Sequence, residues 1–334
     1  LLTPEDQQNP ARKPVIERGP LLDRNGRILA IQTELSSVTV WKPDLEDRES
    51  TTTSLARALD MGTDAISGIM DSPSSFAYIK RKVNQGESDE VRELISNGTI
   101  NGIHLQPEFD RTYPEDKLAS HVLGIVDIDN KGLEGLELVY EDILSPKVED
   151  STEDIIYGNQ IFLTLDVNIQ YFTEQIAQKT FDEQVADSVM ILVMDAKNGD
   201  ILGYVASPDY NPNVFSNFPA VNRTNLPAVA AYEPGSVFKI FSIASFLEVG
   251  TIGSQSVFEC NGYYEHPDID QPIKCLGTHG TVNAAGIIKY SCNAGAAYAS
   301  ESVSAKVFHD MLIRFGFGSD TALPFPGESN GLLN

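Results

Sequence analysis

Ser236 and Lys239, in the run Ala231-Tyr232-Glu233-Pro234-Gly235-Ser236-Val237-Phe238-Lys239-Ile240, form the only Ser-x-x-Lys pair in the 334 residues. At that spacing on a helix the two side chains share a face, so the amine reaches the hydroxyl. A helix N-terminus and a partly buried cleft both disfavour the ammonium form. A neutral lysine beside a serine is a general base beside a nucleophile, and amides of the same turn can receive an oxyanion. The plain alternative is a serine N-cap with a solvated lysine one turn on. Further along, Tyr290-Ser291-Cys292-Asn293 adds a second hydroxyl, able to relay a proton to a leaving group, and a carboxamide able to pair with a peptide-like amide. A Ser-x-Asn tripeptide alone often only caps a helix. The signal lies in the order of the two pairs.

Positioning these groups requires particular elements. Pro234 and Gly235 break the chain before Ser236, and the apolar positions Ile240, Phe241, Ile243, Phe246 and Leu247 follow up to Gly250. This predicts a helix with Ser236 in its first turn and Gly250 near its C-cap. An amphipathic stretch over 282–288 leads into Ser291. Upstream, Ile169, Phe172 and Ile176 recur at helical spacing and predict a helix over 168–181 with those residues on its apolar face. Apolar runs at 189–194 and 201–206 flank Asp195-Ala196-Lys197-Asn198-Gly199-Asp200, a hairpin signal. Between 15 and 144, short strands (37–41, 77–83) mix with helices (53–59, 90–96), and nothing there gathers a nucleophile, a base and oxyanion donors. The polar, acidic stretch 145–157 reads as a linker or exposed loop.

Taken in order, Ser-x-x-Lys and Ser-x-Asn resemble the first two of three motifs in the serine transpeptidases and β-lactamases that react with penicillin. Arg18-Gly19-Pro20-Leu21-Leu22-Asp23-Arg24-Asn25-Gly26-Arg27-Ile28-Leu29-Ala30 resembles the opening of the non-catalytic module of class B penicillin-binding proteins. Arg111-Thr112-Tyr113-Pro114, Ala119-Ser120-His121 with Gly124, and Gly132-Leu133-Glu134-Gly135-Leu136-Glu137 resemble its closing motifs. Leu163-Thr164-Leu165-Asp166 with Gln170 resembles the entry to the transpeptidase domain. Phe315-Gly316-Phe317-Gly318 resembles the stretch after Ser-x-Asn. Tyr232-Glu233-Pro234-Gly235-Ser236 is similar to the division-specific branch.

The resemblance implies an α+β fold: a mixed α/β pedestal over 1–157, then a transpeptidase domain over 158–334 in which helices cover an antiparallel sheet. It implies a peptidoglycan D,D-transpeptidase with Ser236 as nucleophile, Lys239 as base, Ser291 as proton relay and Asn293 as substrate-binding residue. No metal or organic cofactor is implied for this chemistry. The implied partners are stem peptides ending D-Ala-D-Ala, β-lactams, and membrane glycosyltransferase and divisome proteins bound through the pedestal. Because the third motif, Lys-Ser/Thr-Gly, does not follow and no N-terminal anchor precedes Leu1, the chain is expected to be incomplete at both ends. The segment alone is then expected to be inactive, and the whole protein to be membrane-anchored on the extracytoplasmic face. Alternative readings are a D,D-carboxypeptidase or β-lactam sensor of the same superfamily, disfavoured by the 18–30 motif, and a non-catalytic cell-wall scaffold.

A formal net charge of −24 disfavours nucleic acid and anionic membrane surfaces as partners. The three cysteines leave alternatives open. Cys260 and Cys275 bracket a loop and suit a disulfide in an extracytoplasmic protein, free thiols, or zinc with His266 or His279. Cys292 reads as small packing within Ser-x-Asn. His121, His279 and Glu233 read as structural, and Arg18, Asp23 and Arg24 as members of pedestal ion pairs.

Overall fold

The strand Ile28–Trp41 organises the N-terminal region: it lies between Phe76–Val83 and Ile103–Thr112, antiparallel to both, with Val38 opposite Lys80 on one side and Leu105 on the other. The computed structural model describes residues 14–148 and 155–333, and the chain divides into two units, residues 1–227 and 228–334. In the first unit Val38 and Val40 enter a core with Leu55, Leu59, Ile66 and Val91. The helices Arg48–Ala58, Thr63–Asp71 and Gln85–Ser96 supply that core. Gln85–Ser96 begins at a reciprocal capping box between Asn84 and Glu87. The predicted strands and helices are present, and the first strand is longer than its apolar pattern suggests. The mostly polar residues 32–36 extend it because Ile103–Thr112 pairs with them along their whole length.

Asn25-Gly26, a turn dipeptide between two apolar runs, joins Leu21–Leu22 to Ile28–Trp41. Asp23 was expected to form an ion pair; instead its carboxylate accepts the backbone N–H groups of Asn25 (2.7 Å) and Arg27 (2.8 Å) and shapes the turn. Arg24 approaches Asp200 at 3.9 Å in an exposed position. Arg18 does pair. Its Nε donates to Glu137 at 2.7 Å, and Arg111 Nε reaches the other oxygen of Glu137 at 2.7 Å. All three side chains are sealed from solvent, so motifs from three distant stretches meet at one carboxylate. Beside them, Gly124 (φ 82°) lies so close to the Glu134 carbonyl that a side chain there would overlap it. Residues 149–154 of the expected linker lie outside the described residues, and its end, Ile155–Tyr157, is a short strand parallel to Val15–Glu17.

The helix Val167–Gln184 covers an antiparallel pair, Val189–Met194 and Ile201–Ser207. Its buried face is not the predicted one. Val167, Gln170, Thr173 and Ala177 are buried, whereas Phe172 and Ile176 are exposed. The carboxamide of Gln170 settles the rotation, since it exchanges two hydrogen bonds with the backbone of Tyr204, at 2.7 and 2.9 Å. One turn on, Glu174 accepts from Ala119 N and Gln170 Nε2, both at 2.8 Å, and burial pushes its carboxyl up to about 7. An acid whose folded pKa is raised holds its proton after the unfolded chain has lost it. Stability therefore falls as pH rises from about 4.5 to about 7 and levels above that. Glu174→Gln is expected to flatten this slope and to stabilise the first unit at pH 8 by about 2 kcal/mol. Urea melts at pH 5 and pH 8 check it; an unchanged slope rejects the assignment.

The second unit has its own core. Ile243 and Phe246 of the helix Lys239–Val249 pack with Val282, Ile287, Cys292 and Ala294. The antiparallel pair Val257–Cys260 and Gly280–Asn283 lies against the helix Asn293–Ser300. Phe238 and Phe241 meet Phe317 at ring-centroid distances of 5.0 and 4.9 Å, which pins the start of the Lys239–Val249 helix to the Phe-Gly-Phe-Gly stretch.

Candidate active site

Residues Gly235–Phe238 form one 3-10 turn that runs into the helix Lys239–Val249, which ends at Gly250 (φ 77°) as the sequence predicts. The turn is tighter than the predicted α-helical start. In a 3-10 turn residues i and i+3 eclipse, so Ser236 and Lys239 align more directly than they would on an α-helix. Gly235 adopts φ 62°, a left-handed conformation that favours glycine immediately before the serine. The result is an exposed Ser236 hydroxyl at 3.0 Å from a half-buried Lys239 amine.

The second pair arrives from another element. The helix Ala284–Lys289, capped by the Asn283 side chain, is followed by a sharp turn in which Ser291 takes φ 51°. That conformation is uncommon for a residue with a Cβ and is held by its surroundings. Here Cys292 N bonds the Ile287 carbonyl at 2.9 Å, and the buried Cys292 side chain points into the core. Ser291 and Asn293, on either side, face Lys239. Its Nζ lies 3.1 Å from Ser291 Oγ and 2.5 Å from Asn293 Oδ1, and Asn293 Nδ2 donates to the Lys274 carbonyl at 2.8 Å. Burial draws the Lys239 amine below its ordinary value, with the Cys275 and Cys292 thiols acting in the opposite sense.

Ser236, Ser291 and Asn293, all named from the sequence, therefore converge on the amine of the fourth, Lys239. Each acceptor around Lys239 is a neutral group, so the amine accepts a proton without displacing a carboxylate partner. The Asn293 contact with Lys239 is not foreseeable from the sequence, which offers it only as a substrate ligand. Glu233 is exposed. In the first unit His121 is structural: its Nε2 lies 2.8 Å from the Asn222 carbonyl and its ring meets Tyr210 edge-on.

Of the alternatives the sequence leaves open for the cysteines, the disulfide is absent and the thiols are free. Cys260, Cys275 and Cys292 are all unbridged, with 3.7 Å between the first two sulfurs and 3.9 Å between the last two. His279 Nδ1 lies 3.4 Å from Cys260 Sγ, whereas His266 turns away toward Asp268. Four ligand atoms thus lie within 4.8 Å of one another directly behind the Ser291–Asn293 turn. Cys292, read as packing, is one of them.

A serine aligned on one turn with a lysine, and a second serine closing on that lysine, is an arrangement able to support serine–lysine acyl transfer. Residues 189–334 match the penicillin binding protein transpeptidase domain, and residues 14–160 match the penicillin-binding protein dimerisation domain. The chain belongs to the class B penicillin-binding proteins. It is 29% identical over 95% of its length to stage V sporulation protein D of Bacillus subtilis (strain 168), of which it covers 52%. It is likewise 29% identical to the probable peptidoglycan D,D-transpeptidase PenA of Neisseria gonorrhoeae, over 95% of this chain and 57% of that one. With the peptidoglycan D,D-transpeptidase FtsI of Escherichia coli (strain K12) it shares 26% identity, over 94% of this chain and 56% of that one. The chain thus spans about half the length of the curated relatives it matches. The fold matches the crystal structure of a peptidoglycan synthetase from Bifidobacterium adolescentis ATCC 15703, with a TM-score of 0.67 at 21% identity, over 95% of this chain and 65% of that one. Among the described residues no helix is long and apolar enough to cross a membrane.

Proposed function

We propose that the chain carries the acylating half of a peptidoglycan D,D-transpeptidase site, with residues 1–157 as pedestal and 158–334 as catalytic domain. One observation carries the reading: a single half-buried amine within 3.1 Å of two serine hydroxyls. Lys239, as the free amine, removes the Ser236 proton, and Ser236 Oγ attacks the carbonyl of the penultimate D-Ala of a stem peptide. The oxyanion develops beside the Ser236 amide. Ser291 hands the proton from Lys239 to the nitrogen of the departing D-Ala, and Asn293 orients both the amine and the donor peptide. An amine from a neighbouring stem then displaces Ser236, which forms the cross-link and restores the serine. A β-lactam, in which the leaving group stays tethered, stops at the acyl stage.

The similarity to FtsI and the Tyr232–Ser236 pattern support a division-type role on the extracytoplasmic side of the membrane, with the pedestal contacting a glycosyltransferase and other divisome proteins. Peptide mapping by mass spectrometry after incubating the protein carrying this chain with benzylpenicillin tests the reading. One adduct on Ser236 is expected; an adduct on any other residue removes the nucleophile assignment.

A further inference from the structure

Among the described residues and outside the acyl-transfer groups, the set of side chains able to hold a metal ion is Cys260, Cys275, His279 and Cys292. They come from four places: the strand Val257–Cys260, the loop after Ile273–Lys274, the loop before Gly280–Asn283, and the turn that presents Ser291 and Asn293. Zn–S bonds of about 2.3 Å and Zn–N bonds of about 2.0–2.1 Å make the edges of a tetrahedral site about 3.8 Å for S···S and about 3.6 Å for S···N. The separations here are 3.7 and 3.9 Å between sulfurs and 3.4 Å from sulfur to Nδ1. A disulfide needs sulfurs at about 2.05 Å. It would also use two of the sulfurs and leave the third and His279 facing it without a task.

The surroundings suit thiolates. Ala294 N donates to Cys275 Sγ and Gly295 N to Cys292 Sγ, each at 3.2 Å, the kind of outer contact that steadies a metal-bound sulfur. Three sulfurs packed this closely repel one another as thiolates unless a cation joins them.

We propose that these four side chains form a Cys3His zinc site that staples the Ser291–Asn293 turn to the strands behind it. Zinc binding releases the thiol protons to water and leaves three thiolates, one neutral imidazole and one Zn2+, a closed structural set with no open position. The metal takes no part in the acyl transfer. It holds Cys292, and through it the strained φ of Ser291, in the geometry that meets Lys239.

The test is the metal content of the protein purified without chelator from zinc-supplied cells. One zinc per chain is expected. Replacement with Co2+ should give thiolate-to-metal charge-transfer absorption. Cys260→Ser and His279→Gln should each lower occupancy at least tenfold at fixed free zinc. His279 is half-exposed, so His279→Gln reports on the metal even if the cysteine variant misfolds. Less than a tenth of a zinc per chain, with three titratable thiols after denaturation or with a mapped disulfide, overturns the site. A second arm rests on the proposed acyl-transfer reading: chelation should slow penicillin acylation at least tenfold, and added zinc should restore it. Full metal content with acylation insensitive to chelation would keep the site and remove its positioning role.

Discussion

Ser236→Ala is expected to take up no penicillin while keeping its fold, and Lys239→Arg to be acylated slower than the parent by about 10²–10⁴, the usual worth of a general base. Arginine preserves charge and reach, yet its guanidinium does not give up a proton near neutral pH. If Lys239 served only to bind, arginine would substitute for it. The parent's acylation rate should rise with pH as Lys239 loses its proton. Because burial lowers that amine from the ordinary 10.5, the midpoint of the rise should fall below 10.5. The rise should be missing in Lys239→Arg. Stopped-flow acylation between pH 6 and pH 10 measures both. A near-parental rate in Lys239→Arg would mean that some other group takes the Ser236 proton.

Glu137→Ala is expected to destabilise the first unit by about 3–5 kcal/mol, because it leaves the buried Arg111 guanidinium without a carboxylate and Arg18 with one of its two. Arg18 keeps only Glu141, at 2.6 Å, and backbone carbonyls. Arg111 keeps the Gly19 carbonyl, at 2.9 Å, and its Nη2 has no hydrogen-bond partner among the described residues. Trp41, the only tryptophan, lies at the end of the Ile28–Trp41 strand, so its fluorescence follows this unit specifically in a urea titration. Glu115→Ala, which breaks the exposed pair with Arg27, is the control and should change stability by no more than about 1 kcal/mol. If the two variants matched, water would have to reach the Glu137 cluster and the buried-charge argument would fail.

Much of the site is legible in the chain because it is local. Pro234, Gly235 and Gly250 bound the nucleophile helix, and the spacing of Ser236 and Lys239 places hydroxyl and amine together whatever the rest of the molecule does. The Asn25-Gly26 hairpin and the hairpin around Asn198-Gly199 are readable for the same reason: their turn residues adopt conformations that few others do.

The tertiary structure decided what depends on partners far along the chain. Periodicity assigned Ile169, Phe172 and Ile176 to the buried face of their helix, but the two hydrogen bonds exchanged between Gln170 and the Tyr204 backbone turned that face toward Thr173 and Ala177. An apolar pattern weighs only transfer from water, whereas a buried carboxamide must be satisfied and so overrides it. Asp23 became a turn acceptor while Glu137, which no local pattern marks as a partner, took both arginines. Ser291 and Asn293 reach Lys239 across more than fifty residues, and Cys292 between them joins Cys260, Cys275 and His279. Composition lists those side chains and spacing separates them; only the packing of the Asn293–Ser300 helix on the strands Val257–Cys260 and Gly280–Asn283 brings their sulfurs within tetrahedral reach.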